Sequence, residues 1–384
     1  MKRSSNTIAA VIGLVMVLAV IISMLLTTFL PTGAPQPRAT PIQQVLEDPT
    51  LAPIIFPTPD PDGPGLVRTG LAVHPSGTFT IARIAGFEPS TTTSETIHSL
   101  SLVDSTRYAV VHAYLQQHAG PQDVNTLDIY YSPATLAATW SEYDNWEETG
   151  REHVDNQLVI DFSLTLGQNT YLARQRTWPV PEDPSIVYVL RLVVPDNNLA
   201  LLGELEFMII PSYQVLPDSL GAPFNWPGIV STAAGYVLRY PPTWTPVNED
   251  ASLIASLTLP DNQGTLTLRS EDSAVASLDE AQALVETSRE NVTILSTAPI
   301  SRAQGDGYAV AYTFATADGE AQSGLSLLIN GPDGRAKHAL VRLAEPETDL
   351  LDADTQARYA DLWTALATFA PLPADAILPV TAAN

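Results

Sequence analysis

The sequence predicts an α+β fold used twice, as two tandem domains that each lay helices on an antiparallel sheet. Strand-like runs of alternating polarity follow one another as meanders, separated by Gly, Pro and Asp turns, and this favours antiparallel pairing. Amphipathic helical stretches interrupt the strands at matching places, and one order of elements runs through both residues 66–213 and residues 235–371.

Residues 8–30 contain 23 positions without a charge, preceded by Lys2 and Arg3 and followed by no basic residue until Arg38. As a helix they extend ~35 Å, enough to cross a hydrocarbon core of ~30 Å. The charge bias places residues 1–7 in the cytoplasm and the rest of the chain outside it. A cleaved signal peptide is the competing reading, with "TGA" at 32–34 as the cleavage site, but the apolar run exceeds the usual ~7–15 residues. A single-pass signal anchor in the cell membrane is the expectation. Residues 31–65 carry ten prolines, which forbid regular helix and sheet, and read as an extended disordered stalk.

In the first domain "GLAVHPSGTF" (70–79) opens the pattern, and "RYAVVHAYLQ" (107–116) and "VNTLDIYYS" (124–132) read as strands. A helix is expected over 132–146, with Ser132 as cap, Pro133 in the first position and Leu136, Trp140 and Tyr143 on one face. "LVIDFSLTL", "TYLARQRTW" and "IVYVLRLVV" follow as strands, then a helix over 197–209. Residues 214–234, with three prolines and two glycines, read as a linker whose Phe224 and Trp226 pack against one or both domains.

The second domain opens on "YVLRY" (236–240), stopped by Pro241 and Pro242. "ASLIASLTL" and "TLTLRS" form a hairpin around Asn262 and Gly264, and Ser277 or Asp279 caps a helix running to about 290. "NVTILST", "GYAVAYTFA", "GLSLLIN" and "KHALVRLA" are strands, and 352–370 closes with Tyr359, Leu362, Trp363, Leu366 and Phe369 at helical spacing. Residues 372–384 read as a C-terminal tail. The sharpest internal match is "VLRLVVP" (189–195) against "LVRLAEP" (340–346), which sets Arg191 and Arg342 at one strand position in both copies.

At "YPPTW" (240–244) the second domain resembles the PsbP-like family, through Tyr240, Pro241 and Trp244. The first domain resembles it more loosely, with His74, Pro75 and Phe79 in place of the aromatic, proline and tryptophan set. The resemblance implies an α/β/α sandwich around an antiparallel sheet and a habit of binding other proteins. It carries no catalytic or ligand residue onto this chain.

The 384 residues hold 42 acidic against 18 basic side chains, a formal net charge of −24. Such a surface repels phosphate backbones, which argues against nucleic-acid binding. With no cysteine, disulfides, thiolate metal sites and cysteine nucleophiles are excluded. The six histidines show no zincin spacing, and there is no Walker loop, dinucleotide fingerprint or nucleophile elbow, so no motif asks for a metal or cofactor. "HPSGT" (74–78) sets a serine near a histidine without announcing an acid, and a Ser–Lys dyad would have to use Lys337, the one lysine outside the cytoplasmic end.

Arg191 and Arg342 remain as the candidate contacts. Each faces away from the leucines or valine beside it and must find a carboxylate or reach water. Two readings follow, an ion pair inside each domain or a twice-used anion or peptide contact. The leading functional expectation is a membrane-tethered, extracytoplasmic, non-enzymatic binding or accessory module for an unidentified protein partner. The alternatives are an exported hydrolase whose site forms only in three dimensions and a passive surface spacer.

Overall fold

The computed structural model describes residues 54–58, 65–247, 253–289 and 291–378; the expected membrane span and most of the stalk lie outside the described residues. Among the described residues no helix is long and apolar enough to cross a membrane.

The first half runs β1 (Arg68–Val73), β2 (Phe79–Ile84), β3 (Glu88–Thr93), β4 (Ile97–Asp104), β5 (Ala109–Gln117), α1 (Val124–Tyr130), α2 (Pro133–Thr139), β6 (Asn145–Val154), β7 (Gln157–Leu166), β8 (Asn169–Pro179), β9 (Ile186–Pro195), α3 (Leu199–Ile209) and β10 (Gln214–Val215). The second runs β11 (Gly228–Ser231), β12 (Tyr236–Arg239), β13 (Thr245–Pro246), β14 (Ala255–Thr258), β15 (Gly264–Ser270), α4 (Leu278–Ser288), β16 (Thr293–Arg302), β17 (Gly305–Ala315), β18 (Ala321–Asn330), β19 (Ala336–Leu343), α5 (Ala353–Arg358), α6 (Ala360–Thr368) and β20 (Ala370–Pro371).

Two antiparallel seven-stranded sheets result, β3-β4-β5-β9-β8-β7-β6 and β13-β14-β15-β19-β18-β17-β16, with two small sheets, β1-β2-β10 and β11-β12-β20. Adding ten to each strand number converts one half into the other. The α1–α2 pair stands where α4 stands, and α3 stands where α5 and α6 stand. This is a mixed α+β architecture with few helices, consistent with sandwich packing.

Strand alternation explains the two cores of each half. Leu190, Leu192 and Val194 of β9 pack with Leu201, Leu205 and Ile209 of α3. Val187, Val189 and Val193 face the other way, toward Leu127, Tyr131, Leu136 and Trp140. In the second half Val341 and Leu343 lie with Leu362 and Leu366 of α6, while Leu340 and Leu328 lie with Ala281 and Val285 of α4. Tyr240 and Trp244 are buried in the core on the α6 side.

Several local expectations are corrected. Residues 124–130 form a helix, not a strand. Asp123 caps it by accepting from the Thr126 backbone N–H and hydroxyl, and Leu127 and Tyr131, one turn apart, are buried. The helix expected over 132–146 stops at Thr139, and Asn145 already begins β6. The closing helix is broken at Tyr359 (φ −107°, ψ 45°) into α5 and α6. By strand position, Gly70–Val73 on β1 corresponds to Gly228–Ser231 on β11 rather than to the run beginning at Gly235.

The halves meet in an apolar cluster of Leu71, Leu216, Val237, Ala370, Leu372 and Ala376, and Arg68 pairs with Asp375 at 2.7 Å. Leu372 and Ala376 therefore belong to packed structure within the segment read above as a tail. Gly77 (φ +70°) allows the approach, because a Cβ there would lie 2.4 Å from Val237. Phe224 and Trp226 are both buried. Arg239, only 2% exposed, donates to the carbonyls of Ser219, Ala222, Pro223, Phe224 and Trp226 at 2.7–3.3 Å and so binds the connecting segment to β12. Burial pulls its pKa down to about 10.

The outer strands of the large sheets carry breakers of strand addition. β3 is exposed throughout and holds Pro89, β13 holds Pro246, β16 holds Pro299, and β6 holds Glu147, Glu148, Arg151 and Glu152.

Candidate functional site

Arg191 and Arg342 both lie on the sheet face covered by the mid-chain helices, and their cross-strand neighbours differ. Arg191 on β9 pairs in register with His112 on β5 and Gln175 on β8, and Gln175 pairs with Ile160 on β7. Arg342 on β19 pairs with Thr265 on β15 and Gly324 on β18, and Gly324 pairs with Tyr312 on β17.

Among the described residues neither arginine has a carboxylate partner. Arg191 instead donates Nε–H to Gln175 Oε1 (2.7 Å) and Nη2–H to Thr139 Oγ1 (3.3 Å). Its guanidinium lies 5.1 Å from the centre of the Tyr114 ring and 5.7 Å from that of Trp140. A fully buried amide and two aromatic faces thus replace the counter-ion. Beside it, His112 bonds Ser101 at 2.6 Å, and burial followed by the Arg191 charge lowers the His112 pKa to about 4.

Arg342 has no such set. It is exposed, and burial of its stem followed by the charge of Arg289 lowers its pKa. Arg289, at the end of α4, stacks on Phe314 at 4.3 Å from the ring centre, and its Nε is buried without a partner. Tyr312 is fully buried, and its hydroxyl also lacks a partner. Its ring lies over Gly324, where a Cβ would come within 2.4 Å of Cζ and 2.8 Å of the hydroxyl oxygen.

Three polar sets have the composition of hydrolase machinery. The closest in geometry is Glu271–His338–Ser326. The His338 Nδ1–H donates to Glu271 Oε1 at 2.6 Å, and Nε2 accepts from the Ser326 hydroxyl at 3.1 Å, the order of a nucleophile, base and orienting acid. Ser326 is 1% exposed and His338 2%, so the serine has no access to substrate. Burial lowers the His338 pKa against the opposing pull of Glu271.

The second set is the "HPSGT" stretch. Ser76 Oγ lies 2.7 Å from His74 Nδ1, 3.0 Å from His98 Nδ1 and 2.8 Å from Thr78 Oγ1, with no acid, and both histidines are fully buried. His98 stacks on Phe224 at 4.1 Å, so the network fastens β4 to the connecting segment. Burial first lowers both pKa values, to about 4 for His74 and about 3 for His98.

In the third set Lys337 Nζ donates to Ser270 Oγ at 3.1 Å and to Asp333 Oδ2 at 2.7 Å. Burial lowers the Lys337 pKa, against the opposing pull of the Asp333 carboxylate. Among the described residues no three His, Asp or Glu side chains converge to hold a metal ion.

Two open grooves are lined by aromatic side chains. One of about 240 Å³ is lined by Tyr108, Tyr143, Tyr171, Val103, Leu166 and Val193. At its side sits Phe56, whose ring meets Tyr171 edge-on at 5.1 Å and Tyr108 at 5.5 Å, while Asn197 Nδ2–H reaches the Pro57 carbonyl at 3.4 Å. A second groove of about 310 Å³ lies between Trp244, Pro260, Gln263, Arg358, Tyr359 and Asp361.

Sequence reasoning placed Arg191 and Arg342 on matching strands but missed Gln175, Arg289, Tyr312 and Phe56. Alternation along "GYAVAYTFA" does set Tyr312 on a defined face, yet nothing in it names the strand residue opposite.

No protein-family model matches the chain, and no curated protein does. Among solved structures, the Ran-binding protein Mog1p of Saccharomyces cerevisiae is 11% identical over 40% of this chain and 99% of its own, with a TM-score of 0.30. The immunity protein TplEi of the Pseudomonas aeruginosa T6SS is 12% identical over 79% of this chain and 98% of its own, with a TM-score of 0.24. At these scores the likenesses carry no argument about function.

Proposed function

We propose that the chain is a membrane-tethered, extracytoplasmic, non-enzymatic binding module, with two PsbP-like α/β/α heads, that takes an extended segment of a protein partner. The observation that carries the reading is Phe56. An aromatic side chain from the proline-flanked stretch "IIFP" is seated against Tyr108 and Tyr171 at the edge of a groove that remains open. Proline-rich segments suit such aromatic grooves because they lose little conformational entropy on docking. Tethering adds to this by raising the local concentration of the heads near a membrane-bound partner.

The test is peptide display against the full chain held in lipid nanodiscs. Enriched peptides should carry an aromatic residue next to proline, compete with a soluble peptide of residues 52–59, and be lost with Tyr171→Ala. A selection no richer than empty nanodiscs would overturn the binding module and leave the hydrolase and the passive spacer.

A hydrolase is the second reading, favoured by the Glu271–His338–Ser326 order alone. A serine-directed fluorophosphonate followed by peptide mass spectrometry separates the two. The binding module leaves Ser326 unlabelled, whereas labelling that His338→Gln abolishes would establish the hydrolase.

A further inference from the structure

We infer that the Phe56 stretch is an internal competitor for the aromatic groove of the first half, an autoinhibitory strap that a partner must displace. The inference rests on the binding-module reading above and adds how the same site is regulated.

The strap stands where a partner's aromatic side chain would have to sit. Tyr108 and Tyr171 line the groove of about 240 Å³, and the Phe56 ring packs on both, with ring centres 5.5 and 5.1 Å away. An aromatic side chain arriving from outside can use these two rings only after Phe56 leaves. The rest of the groove, toward Val103, Tyr143 and Leu166, is open, so an incoming segment has a place to land first.

The strap is also held lightly. The chain has two stretches of the same form, "PIIFP" (53–57) and "PFNWP" (223–227), each with an aromatic residue before its closing proline. The second is fixed in place. Trp226 is buried, and the carbonyls of Pro223, Phe224 and Trp226 accept from Arg239. In the first, Ile55 is 88% exposed and Ile54 44%, Phe56 is half-buried, and the tie from Asn197 Nδ2–H to the Pro57 carbonyl is an exposed contact of 3.4 Å. Contacts this slight hold a segment because it is already attached, at an effective concentration on the order of millimolar. A partner of the same chemistry then meets a groove that is competent only part of the time, and its apparent affinity falls by that fraction.

The probe is a fluorescein-labelled peptide of residues 52–59, titrated into the full chain in lipid nanodiscs and followed by fluorescence anisotropy. Phe56→Ala should tighten binding about tenfold and Asn197→Ala about twofold, with the thermal midpoint held within about 2 °C. Phe56→Tyr, which keeps both ring contacts, should bind as the parent chain does. Tyr171→Ala should abolish binding with or without Phe56→Ala. In the chain alone, a nuclear Overhauser effect between the Phe56 and Tyr171 ring protons reports the closed strap, and added peptide should extinguish it. Equal affinity of the parent and Phe56→Ala would overturn the strap and leave the binding module standing, whereas no binding by either would overturn both. A missing ring-to-ring signal in the chain alone would overturn the strap, as would a signal seen only between separately labelled chains, which places the stretch on a neighbouring copy.

Discussion

The two halves wind their strands in the same order, yet they treat the same arginine differently. Arg191 is met from within, by Gln175, Thr139 and two aromatic rings. Arg342 stands at the edge of a glycine, a buried hydroxyl and a second arginine. The sheet is indifferent to this choice, because the leucines and valine next to each arginine in sequence point to the opposite face. A repeated fold conserves its buried alternation and leaves the polar register free to diverge.

The strongest test of the difference between the halves uses Arg239 and Arg83, which pair with Gly228 and Gly70 on matching strands. Arg239→Leu strips five carbonyls of their donor and should destabilise the chain by on the order of 4 kcal/mol. Arg83 is half-buried and donates no side-chain hydrogen bond among the described residues, so Arg83→Leu should change stability by no more than about 0.5 kcal/mol. Equal losses in chemical denaturation would remove the asymmetry.

Acid should separate the halves next. His74, His98 and His112 in the first half have folded pKa values lowered to about 4, about 3 and about 4, against 6.5 when unfolded. Between those values the unfolded chain binds more protons, so the stability these groups contribute is present above pH 6.5 and lost as pH falls toward 4. His74 alone contributes on the order of 3 kcal/mol. Hydrogen exchange should show residues 68–215 losing protection before residues 228–371, and the reverse order would break the prediction.

A smaller effect is expected at Gly324. Gly324→Ala drives a methyl group into the Tyr312 ring and should lower stability by about 2 kcal/mol. Installing the pair of the first half, Gly324→Gln with Tyr312→Ile, should recover part of that loss and give Arg342 an amide partner, visible as a slowed Nε–H exchange. The smallest contrast is between the arginines themselves. Arg191→Ala should lower stability by about 1.5 kcal/mol and Arg342→Ala by less than about 0.5, so matched melting shifts would refute the internal satisfaction of Arg191.

Much of this architecture was legible in the sequence because burial on a sheet alternates. "VLRLVVP" and "LVRLAEP" show the period directly, and Tyr240 and Trp244 are buried as large aromatics at a strand end should be. Residues 124–130 misled because Val, Thr, Ile and Tyr suit strands, while the Asp123 cap and the spacing of Leu127 and Tyr131 decided for helix. The polar sets were illegible for a different reason. Glu271, Ser326 and His338 come from three separate places in the chain and are joined only by the register of β15, β18 and β19. Phe56 gave no signal because a proline-rich stretch reads alike whether or not a groove receives it.

The guarded margins of the two sheets have a practical corollary for crowding. Prolines on β3, β13 and β16 and the run of charges on β6 leave no clean row of backbone donors for a neighbouring copy to zip onto. Dense arrays of this molecule, whether packed in a patch of lipid or concentrated in a tube, should therefore stay as separate particles rather than seed fibrils.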